Sequence, residues 1–393
     1  MRFKVRWVPA VLLAMGLAMP ALAATPARDP NLADTTQPGS VIIFPKFIND
    51  TPVTTSGDLA VLPRTEIEIG VVCPKGSTCT EHQAVKIRFH WVCPGSDDIF
   101  FKFICQETDF DINVTVNGKL AFSADGTPIG GSFTAANSPR APKPPCRTGF
   151  LIGWVINSAD QPIKFDGLIG DAVLRGPAVS PALGSSAVEA YRGITIQARL
   201  NADTGAVLTS DEPGELAFDG TQYLGLPRTL FGDVKFDKET AGPPGPIGAL
   251  NQTYLVLMTL DVDSNFPNLP TFVNLDFFNE SLNTVSGTNP NFEAITSTST
   301  HFVCWTQQQL TSIDPNLTQA FQGTRKGVVI AKDAQKIGFA GITSDEAGPV
   351  TLIGLVQVFE GAAPNFAERG YIFNMYNNGD FVPTEFETVN DER

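Results

Sequence analysis

The chain of 393 residues lacks the short motifs that identify many hydrolases, metalloproteases and nucleotide-binding proteins. It contains no H-E-x-x-H zinc motif, no G-x-S-x-G nucleophile elbow and no glycine-rich phosphate loop following a strand. Histidine is rare, with His82, His90 and His301 as the three examples. The sequence therefore identifies no candidate catalytic residue and no candidate cofactor-binding residue.

Positive charge is also scarce. Lysine and arginine together number 27 against 41 aspartate and glutamate residues, which gives a formal net charge of −14. Binding to nucleic acid requires a concentrated cationic surface, so we expect no nucleic-acid partner. Metal ligands do not cluster at zinc-site spacing, and we expect no cofactor. The alternative is calcium at Asp261-Val262-Asp263-Ser264-Asn265, whose oxygen ligands alternate but which lacks the glycine and glutamate of an EF-hand.

Long apolar runs are confined to the first residues of the chain. Arg2, Lys4 and Arg6 precede an apolar stretch from Val8 to Met19, and a small-residue cleavage site ends at Ala23. This order predicts a signal peptide over residues 1–23. Later apolar runs are shorter than the roughly 20 residues that span a bilayer. We expect an exported bacterial protein without a membrane span, located in the periplasm, at the cell surface or outside the cell.

The remaining sequence reads as a succession of short strands. Val85 to Val92 alternates apolar and basic residues with a period of two, as a half-buried strand does. Turn dipeptides such as Asn117-Gly118 and Asp219-Gly220 separate such segments. Two short helices are predicted, at Ser186–Arg192 and Thr306–Leu310. The predicted fold class is all-β, with two tandem antiparallel β-sandwich domains and few short helices.

A proline- and glycine-rich run at residues 241–250 marks the predicted domain boundary, because it can continue neither a strand nor a helix. It separates an N-terminal sandwich at residues 24–240 from a C-terminal one at residues 251–393. The two parts also share an order of similar segments, so we expect a possible duplication. Chance similarity between all-β sequences is the alternative. The paired segments are Val85–Val92 with Phe272–Phe278, Phe103–Cys105 with Phe302–Cys304, Thr148–Ile152 with Lys326–Ile330, and Gly167–Gly170 with Leu352–Leu355.

Six cysteines indicate disulfides formed in an oxidising compartment. Spacing favours a local bridge between Cys73 and Cys79, whose intervening residues form a turn. It also favours a hairpin bridge between Cys93 and Cys105. The remaining pair would join Cys146 to Cys304 and so tie the two domains together, with a free buried Cys304 as the alternative.

Acidic and aromatic residues supply the remaining candidate sites. Glu107, Asp109 and Asp111 share one predicted strand face, where a solvent-facing role is favoured over paired acid–base chemistry. His90 is predicted to be solvated. Three tryptophans, Trp91, Trp154 and Trp305, are predicted to be buried core residues, with a sugar-stacking platform as the alternative.

One segment near the mature N-terminus carries a resemblance. Residues Gly39 to Phe47, G-S-V-I-I-F-P-K-F, resemble the G-S-V-L-x-F-P-K-F opening of a group of uncharacterised secreted bacterial β-sandwich proteins. Those proteins tend to carry a cysteine pair across a hairpin, as at Cys93 and Cys105, and a G-x-L-I-G-D segment like Gly167–Asp171. The resemblance implies a secreted β protein and supplies no activity or ligand.

Two classes of function remain. The first is a non-catalytic secreted or cell-surface protein with a structural, adhesive or binding role, for which we expect self-association or a cell-surface partner. The alternative is a secreted hydrolase that acts on polysaccharide through carboxylates such as Glu107 and Asp109. Fold class does not decide between them, because β-sandwiches support both.

Overall fold

The computed structural model describes an almost entirely β protein. Twenty strands and one four-residue helix occur among the described residues. The described residues are 32–49, 64–80, 82–94, 105–126, 129, 141–175, 188–199, 216–235, 252–261, 269–279, 296–314, 317, 326–336, 349–360, 369–377, 381–382 and 386. All the statements below about structure refer to these residues.

The strands follow the predicted alternating segments closely. In β3, for example, Val85, Ile87 and Phe89 are buried on one face, as the sequence predicts. The elements are β1 (Val41–Ile48), β2 (Arg64–Val71), β3 (Ala84–Val92), β4 (Glu107–Thr115), β5 (Lys119–Ser123), β6 (Thr148–Ile156), β7 (Leu168–Arg175), β8 (Val188–Arg192), β9 (Ile194–Ile196), β10 (Leu226–Pro227), β11 (Leu230–Lys235), β12 (Gln252–Met258), β13 (Thr271–Asn279), β14 (Thr296–Phe302), β15 (Trp305–Gln309), α1 (Leu310–Ile313), β16 (Lys326–Lys336), β17 (Ile353–Glu360), β18 (Arg369–Asn374), β19 (Tyr376–Asn377) and β20 (Phe381–Val382).

Four larger antiparallel sheets contain most of these strands. Sheet A has the order β4-β3-β6-β1-β9, and sheet B has the order β5-β2-β7-β8. Sheet C has the order β14-β13-β16-β11-β19, and sheet D has the order β15-β12-β17-β18. A two-stranded ribbon pairs β10 with β20. The predicted all-β, sandwich-type antiparallel fold is confirmed.

The two halves of the chain have the same strand order. Adding ten to each strand number of sheet A gives sheet C, and the same operation turns sheet B into sheet D. Three of the four segment pairs singled out in the sequence lie on corresponding strands, namely β3 with β13, β6 with β16 and β7 with β17. The fourth pair does not correspond, because Cys105 precedes β4 whereas Cys304 follows β14.

The change from one pair of sheets to the other occurs earlier in the chain than the predicted linker. Strand β11 (Leu230–Lys235) lies before residue 240, yet it pairs along its length with β16 of sheet C. The transition therefore falls between β9 and β11, near the short strand β10. The predicted linker at residues 241–250 lies outside the described residues.

The four sheets form a stack in the order B, A, D, C. The inner faces of sheets A and B share one buried cluster, and those of sheets C and D share another. The outward residues of sheet A, including Val41 and Ile43, belong to the first cluster together with residues of sheet D such as Met258, Leu355 and Trp305. The two halves therefore bury apolar residues of sheets A and D against each other.

Both helix predictions are wrong in most of their residues. Residues Val188–Arg192 form the edge strand β8, whose alternate residues Glu189 and Tyr191 are buried in the pattern of a strand. Thr306 to Gln309 belong to strand β15, and the helical turn α1 begins at Leu310. In both places strand pairing within sheets B and D determines the local structure, because tertiary contacts outweigh weak helix propensity.

All six cysteines form disulfides, but only one of the predicted pairs is correct. Cys73–Cys79 is confirmed, whereas the predictions of Cys93–Cys105 and Cys146–Cys304 are wrong. The bonds formed are Cys93–Cys146 and Cys105–Cys304. At the end of the β3–β4 hairpin Cys93 lies opposite Gln106, since its amide donates to the Gln106 carbonyl, so Cys105 is not its cross-strand partner. A bridge through Cys304 does join the two halves, as expected, but its partner is Cys105.

Candidate functional site

Three sheets meet at Lys46, near the end of β1. Strand β9 pairs with β1 along Val41 to Ile43, so Lys46 lies beyond the end of that partner strand. On its other side, the pairing of β1 with β6 shifts register between Phe44 and Phe47, which removes Lys46 from the regular ladder. The lysine is thereby directed to the point where β1 of sheet A, β8 of sheet B and β17 of sheet D come together.

At this point, which we term the Lys46 junction (Lys46, Glu189, Tyr191 and Gln357), the polar groups form a chain. Lys46 Nζ donates to Gln357 Oε1, and Gln357 Nε2 donates to Glu189 Oε2. The Lys46 amide donates to the Tyr191 hydroxyl at 3.0 Å, and that hydroxyl donates to the Lys46 carbonyl. The backbone of Lys46 is thus fixed by one strand while its side chain contacts the other half of the protein.

The Lys46 junction is excluded from water. Lys46 is 2% exposed, Gln357 1% and Glu189 5%. Burial lowers the pKa of the Lys46 ammonium to about 7, although the negative charge of Glu189 acts in the opposite direction. Burial also raises the pKa of Glu189, against the hydrogen bond from Gln357 and the charge of Lys46. Both shifts favour the neutral amine and the neutral carboxylic acid.

A second buried polar pair lies on the outward face of sheet A. His90 Nδ1 is 3.0 Å from Glu107 Oε2, and the side chains are 3% and 5% exposed. The prediction that His90 is solvated is wrong, because sheet D and Phe386 cover this part of sheet A. The imidazole ring lies tilted against Trp154, with the ring centroids 4.6 Å apart, and Phe386 packs edge-on against both rings. The pair fills the edge of the interface between the halves.

The predicted acidic face of β4 exists, but its three carboxylates have different environments. Glu107 is buried against His90, Asp109 is exposed, and Asp111 forms ion pairs with Lys86 and Arg88 at 2.8 and 3.0 Å. Glu107 and Asp109 lie two residues apart on one strand, not on opposite walls of a cleft. They therefore lack the arrangement that paired acid–base catalysis of glycoside hydrolysis uses.

The three tryptophans that the structure describes are buried, as predicted. Trp91 and Trp154 are 0% and 1% exposed, and Trp305 donates its indole N–H to the Pro45 carbonyl at 2.7 Å. None of the three presents a face to solvent for stacking on a sugar. Trp305 instead belongs to the interface between the halves, directly beside the Lys46 junction.

A surface groove of about 440 Å³ crosses the outer face of sheet B. Gly70 in β2 and the Ile169 side chain in β7, which packs closely beside it, line the groove, and charged side chains surround them. Cross-strand pairing places Glu68 opposite Asp171 and Asp171 opposite Arg192, so two neighbouring carboxylates lie at the centre of the groove. Basic groups flank them, since Lys119 pairs with Glu68 and Arg192 lies beside Asp171. The residues that line it are Glu68, Gly70, Lys119, Ile169, Gly170, Asp171 and Arg192.

Evidence for a metal site is lacking in the part of the chain that the structure describes. No group of three or more His, Cys, Asp or Glu side chains with metal-binding geometry occurs there. Asp261, the first residue of the candidate calcium loop, pairs with Lys336 at 3.1 Å, and residues 262–265 lie outside the described residues. Likewise, no described helix is long and apolar enough to cross a membrane.

Sequence reasoning missed the Lys46 junction. The available signals were single polar residues within apolar runs, namely Lys46 in V-I-I-F-P-K-F-I and Gln357 in I-G-L-V-Q-V-F-E. Glu189 was concealed by the incorrect helix prediction. A polar residue within an apolar strand indicates that its side chain has a polar partner in the fold. The sequence does not indicate that Lys46, Gln357 and Glu189 are partners of one another.

Comparison with known proteins gives little further information. No known protein family and no curated protein matches the chain. Among solved structures, one similar chain is the viral chemokine binding protein R17 encoded by rodent gammaherpesvirus Peru, with 9% identity, a TM-score of 0.14, and coverage of 89% of this chain and 88% of that one. Another is from infectious bursal disease virus Gx strain, with 11% identity, a TM-score of 0.12, and coverage of 91% and 74%. Similarity at this level carries no argument about fold or function.

Proposed function

We propose that this chain is a non-catalytic exported protein with a structural or adhesive role at the cell surface. The observation that carries the proposal is that the two halves are held together by an extensive buried interface and a disulfide. Sheet A is buried on sheet D through an apolar interface, and Cys105–Cys304 joins the halves covalently. Disulfides persist in oxidising compartments, which is consistent with export.

The construction is better suited to rigidity than to catalysis. Domains that close on a substrate usually meet through small, polar interfaces that allow hinge motion. Here the interface between sheets A and D includes Val41, Ile43, Met258 and Leu355, each 0% exposed. The hydrolase alternative needs two carboxyl groups across an accessible cleft, and Glu107 is instead buried in this interface.

The groove on sheet B is the surface through which we propose attachment. Its two central carboxylates and the basic groups that flank them suit a partner surface that carries both signs of charge. It includes Ile169, Gly170 and Asp171, which belong to the segment Gly167–Asp171 that resembles the secreted bacterial proteins. The proposed partner is therefore a charged component of the cell surface.

Native fractionation of the endogenous protein tests this role. Medium, periplasm and cell surface are separated, and the protein in each fraction is sized without denaturant. We expect to recover the wild-type protein as a cell-bound assembly of high mass. Asp171→Lys should release the protein from the cell, because the substitution reverses a charge in the groove. Asp233→Lys, at an exposed position of β11, is the matched control and should stay bound. Recovery of the unmodified protein as a free monomer would contradict the proposal.

We further infer that the two halves arose by duplication of one sandwich. The one-to-one correspondence of strand order between β1–β9 and β11–β19 supports this origin, together with the three sequence segments that lie on matching strands. The last strand of the first half, β10, and the last strand of the second half, β20, also correspond, and they pair with each other. Superposition of the halves strand by strand is the test, and corresponding strands that superpose only after a shift of register would contradict the inference.

A further inference from the structure

We propose that Lys46 and Gln357 become joined by an isopeptide bond between Lys46 Nζ and Gln357 Cδ, with Glu189 as the catalytic acid–base group. The bond would link β1 to β17, and so fasten the two halves covalently at a second place, away from Cys105–Cys304. The inference concerns a modification within the chain and does not depend on the proposed cell-surface role.

The three groups lie in the order that the reaction requires. Lys46 Nζ contacts the carbonyl oxygen of the Gln357 carboxamide, so the amine is already next to the carbon that it would attack. Glu189 accepts a hydrogen bond from Gln357 Nε2, which is the leaving nitrogen. Nucleophile, acyl carbon and proton carrier are therefore adjacent, each from a different strand. Such positioning supplies much of the rate advantage of an intramolecular reaction.

The surroundings favour the reactive protonation states. An amine attacks a carboxamide only when it is neutral, and burial lowers the pKa of Lys46 towards neutrality. Departure of nitrogen requires a proton donor, and burial raises the pKa of Glu189, which keeps its carboxyl group protonated to higher pH. Exclusion of water also protects the acyl group from hydrolysis, because Gln357 is 1% exposed.

The atoms balance without any added reagent. The Lys46 Nζ lone pair forms a bond to Gln357 Cδ, and the bond between Cδ and Nε2 breaks. The Glu189 carboxyl delivers its proton to Nε2, which departs as ammonia, and the carboxylate left behind takes one proton from Nζ. The products are a secondary amide and one ammonia, and no oxidant or reductant takes part.

A permanent hydrogen-bonded relay explains the same residues less well. Buried charges are normally paired directly, as Lys336 is with Asp261 at 3.1 Å. Lys46 instead contacts a neutral amide, and Glu189 Oε1 is buried without a hydrogen-bond partner among the described residues. An uncompensated arrangement of this kind costs stability. Formation of an amide replaces the buried, ionisable amine of Lys46 with a group that carries no charge at any pH and so relieves this cost.

Mass spectrometry of the reduced, denatured wild-type protein provides the test. We expect an intact mass lower, by one ammonia, than that of the sequence from its measured N-terminus. Because an acylated lysine resists trypsin, digestion should yield residues 29–64 joined to residues 337–369. A mass equal to that of the sequence would overturn the proposal. A deficit of one water would also overturn it, since it would indicate an amide between Lys46 and Glu189.

Variants assign the roles of the individual residues. Lys46→Met and Glu189→Gln should both show the full sequence mass, and Lys336→Met, the matched buried-lysine control, should keep the deficit. Glu189→Gln preserves shape, and circular dichroism will verify that the variant is folded. If folded Glu189→Gln still loses ammonia, the catalytic role of Glu189 is overturned. Because the readout is mass, a negative result leaves the outcome of the fractionation experiment unaffected.

Discussion

Removal of the Cys105–Cys304 bridge is the perturbation with the largest expected effect on stability. The two cysteines are 199 residues apart, whereas Cys93–Cys146 spans 53 residues and Cys73–Cys79 spans 6. In the chain-entropy account, a bridge stabilises the folded state by restricting the unfolded chain, and the effect grows with the logarithm of the loop length. This gives about 5 kcal/mol for Cys105–Cys304, about 4 for Cys93–Cys146 and about 2 for Cys73–Cys79.

The position of the bridge supports treating the protein as one unfolding unit. Cys105 and Cys304 are 1% and 0% exposed, and both belong to the buried cluster that continues across the interface between sheets A and D. Loss of the bridge should therefore lower the stability of both halves together. A Lys46–Gln357 bond would shorten the closed loop to about 110 residues and leave the value near 5 kcal/mol, because the dependence is logarithmic.

Equilibrium unfolding in guanidinium chloride, followed by the fluorescence of the buried tryptophans, measures the effect. The double variant Cys105→Ala/Cys304→Ala is compared with the wild type and with the control Cys73→Ala/Cys79→Ala. We expect the free energy of unfolding to fall by about 5 kcal/mol in the first variant and by about 2 in the second. If the two variants lose equal stability, or if the first loses less, the reasoning from loop length is refuted.

Three further predictions concern single residues. Burial raises the pKa of Asp166 to about 6, so its contribution to stability is complete well below pH 3.8 and is lost as the pH rises through 6. Relative to Asp166→Asn, the wild type should lose about 2 kcal/mol between pH 4 and pH 7 in denaturant titrations, and a pH-independent difference would count against this. Glu107→Ala leaves the buried His90 Nδ1 without its partner and should lower the free energy of unfolding by about 2 kcal/mol. The control Asp109→Ala, at an exposed position of the same strand, should change it by less than about 0.5 kcal/mol. Equal losses would disprove that Glu107 is the buried partner of His90. Gly149→Ala would place a Cβ 2.1 Å from the carbonyl oxygen of the last residue of β3, and it should lower the free energy of unfolding by about 3 kcal/mol. An unchanged melting temperature would contradict this, because it would mean that β3 and β6 can move apart without cost.

The Lys46 junction shows why the candidate site could not be predicted from the sequence. Lys46, Glu189 and Gln357 are separated by more than a hundred residues along the chain, and they meet because β9 is short and β1 shifts register beside β6. Neither the length of β9 nor that shift has a local sequence signal. The predicted pairing of Cys93 with Cys105 was wrong for a similar reason, since the residue that a cysteine faces depends on hairpin register.

The sequence by itself determined the all-β class, most strand positions, the burial of the tryptophans and the local Cys73–Cys79 bridge. These features follow from alternation with a period of two and from turn residues, which act over a few neighbouring positions. The tertiary structure decided which faces are covered. The polar face of β3 carries Lys86, Arg88 and His90 in one alternating row, yet His90 is buried because sheet D and Phe386 cover its end of sheet A. Packing between distant parts of the chain, which has no periodic signature, therefore defined both the interface and the Lys46 junction.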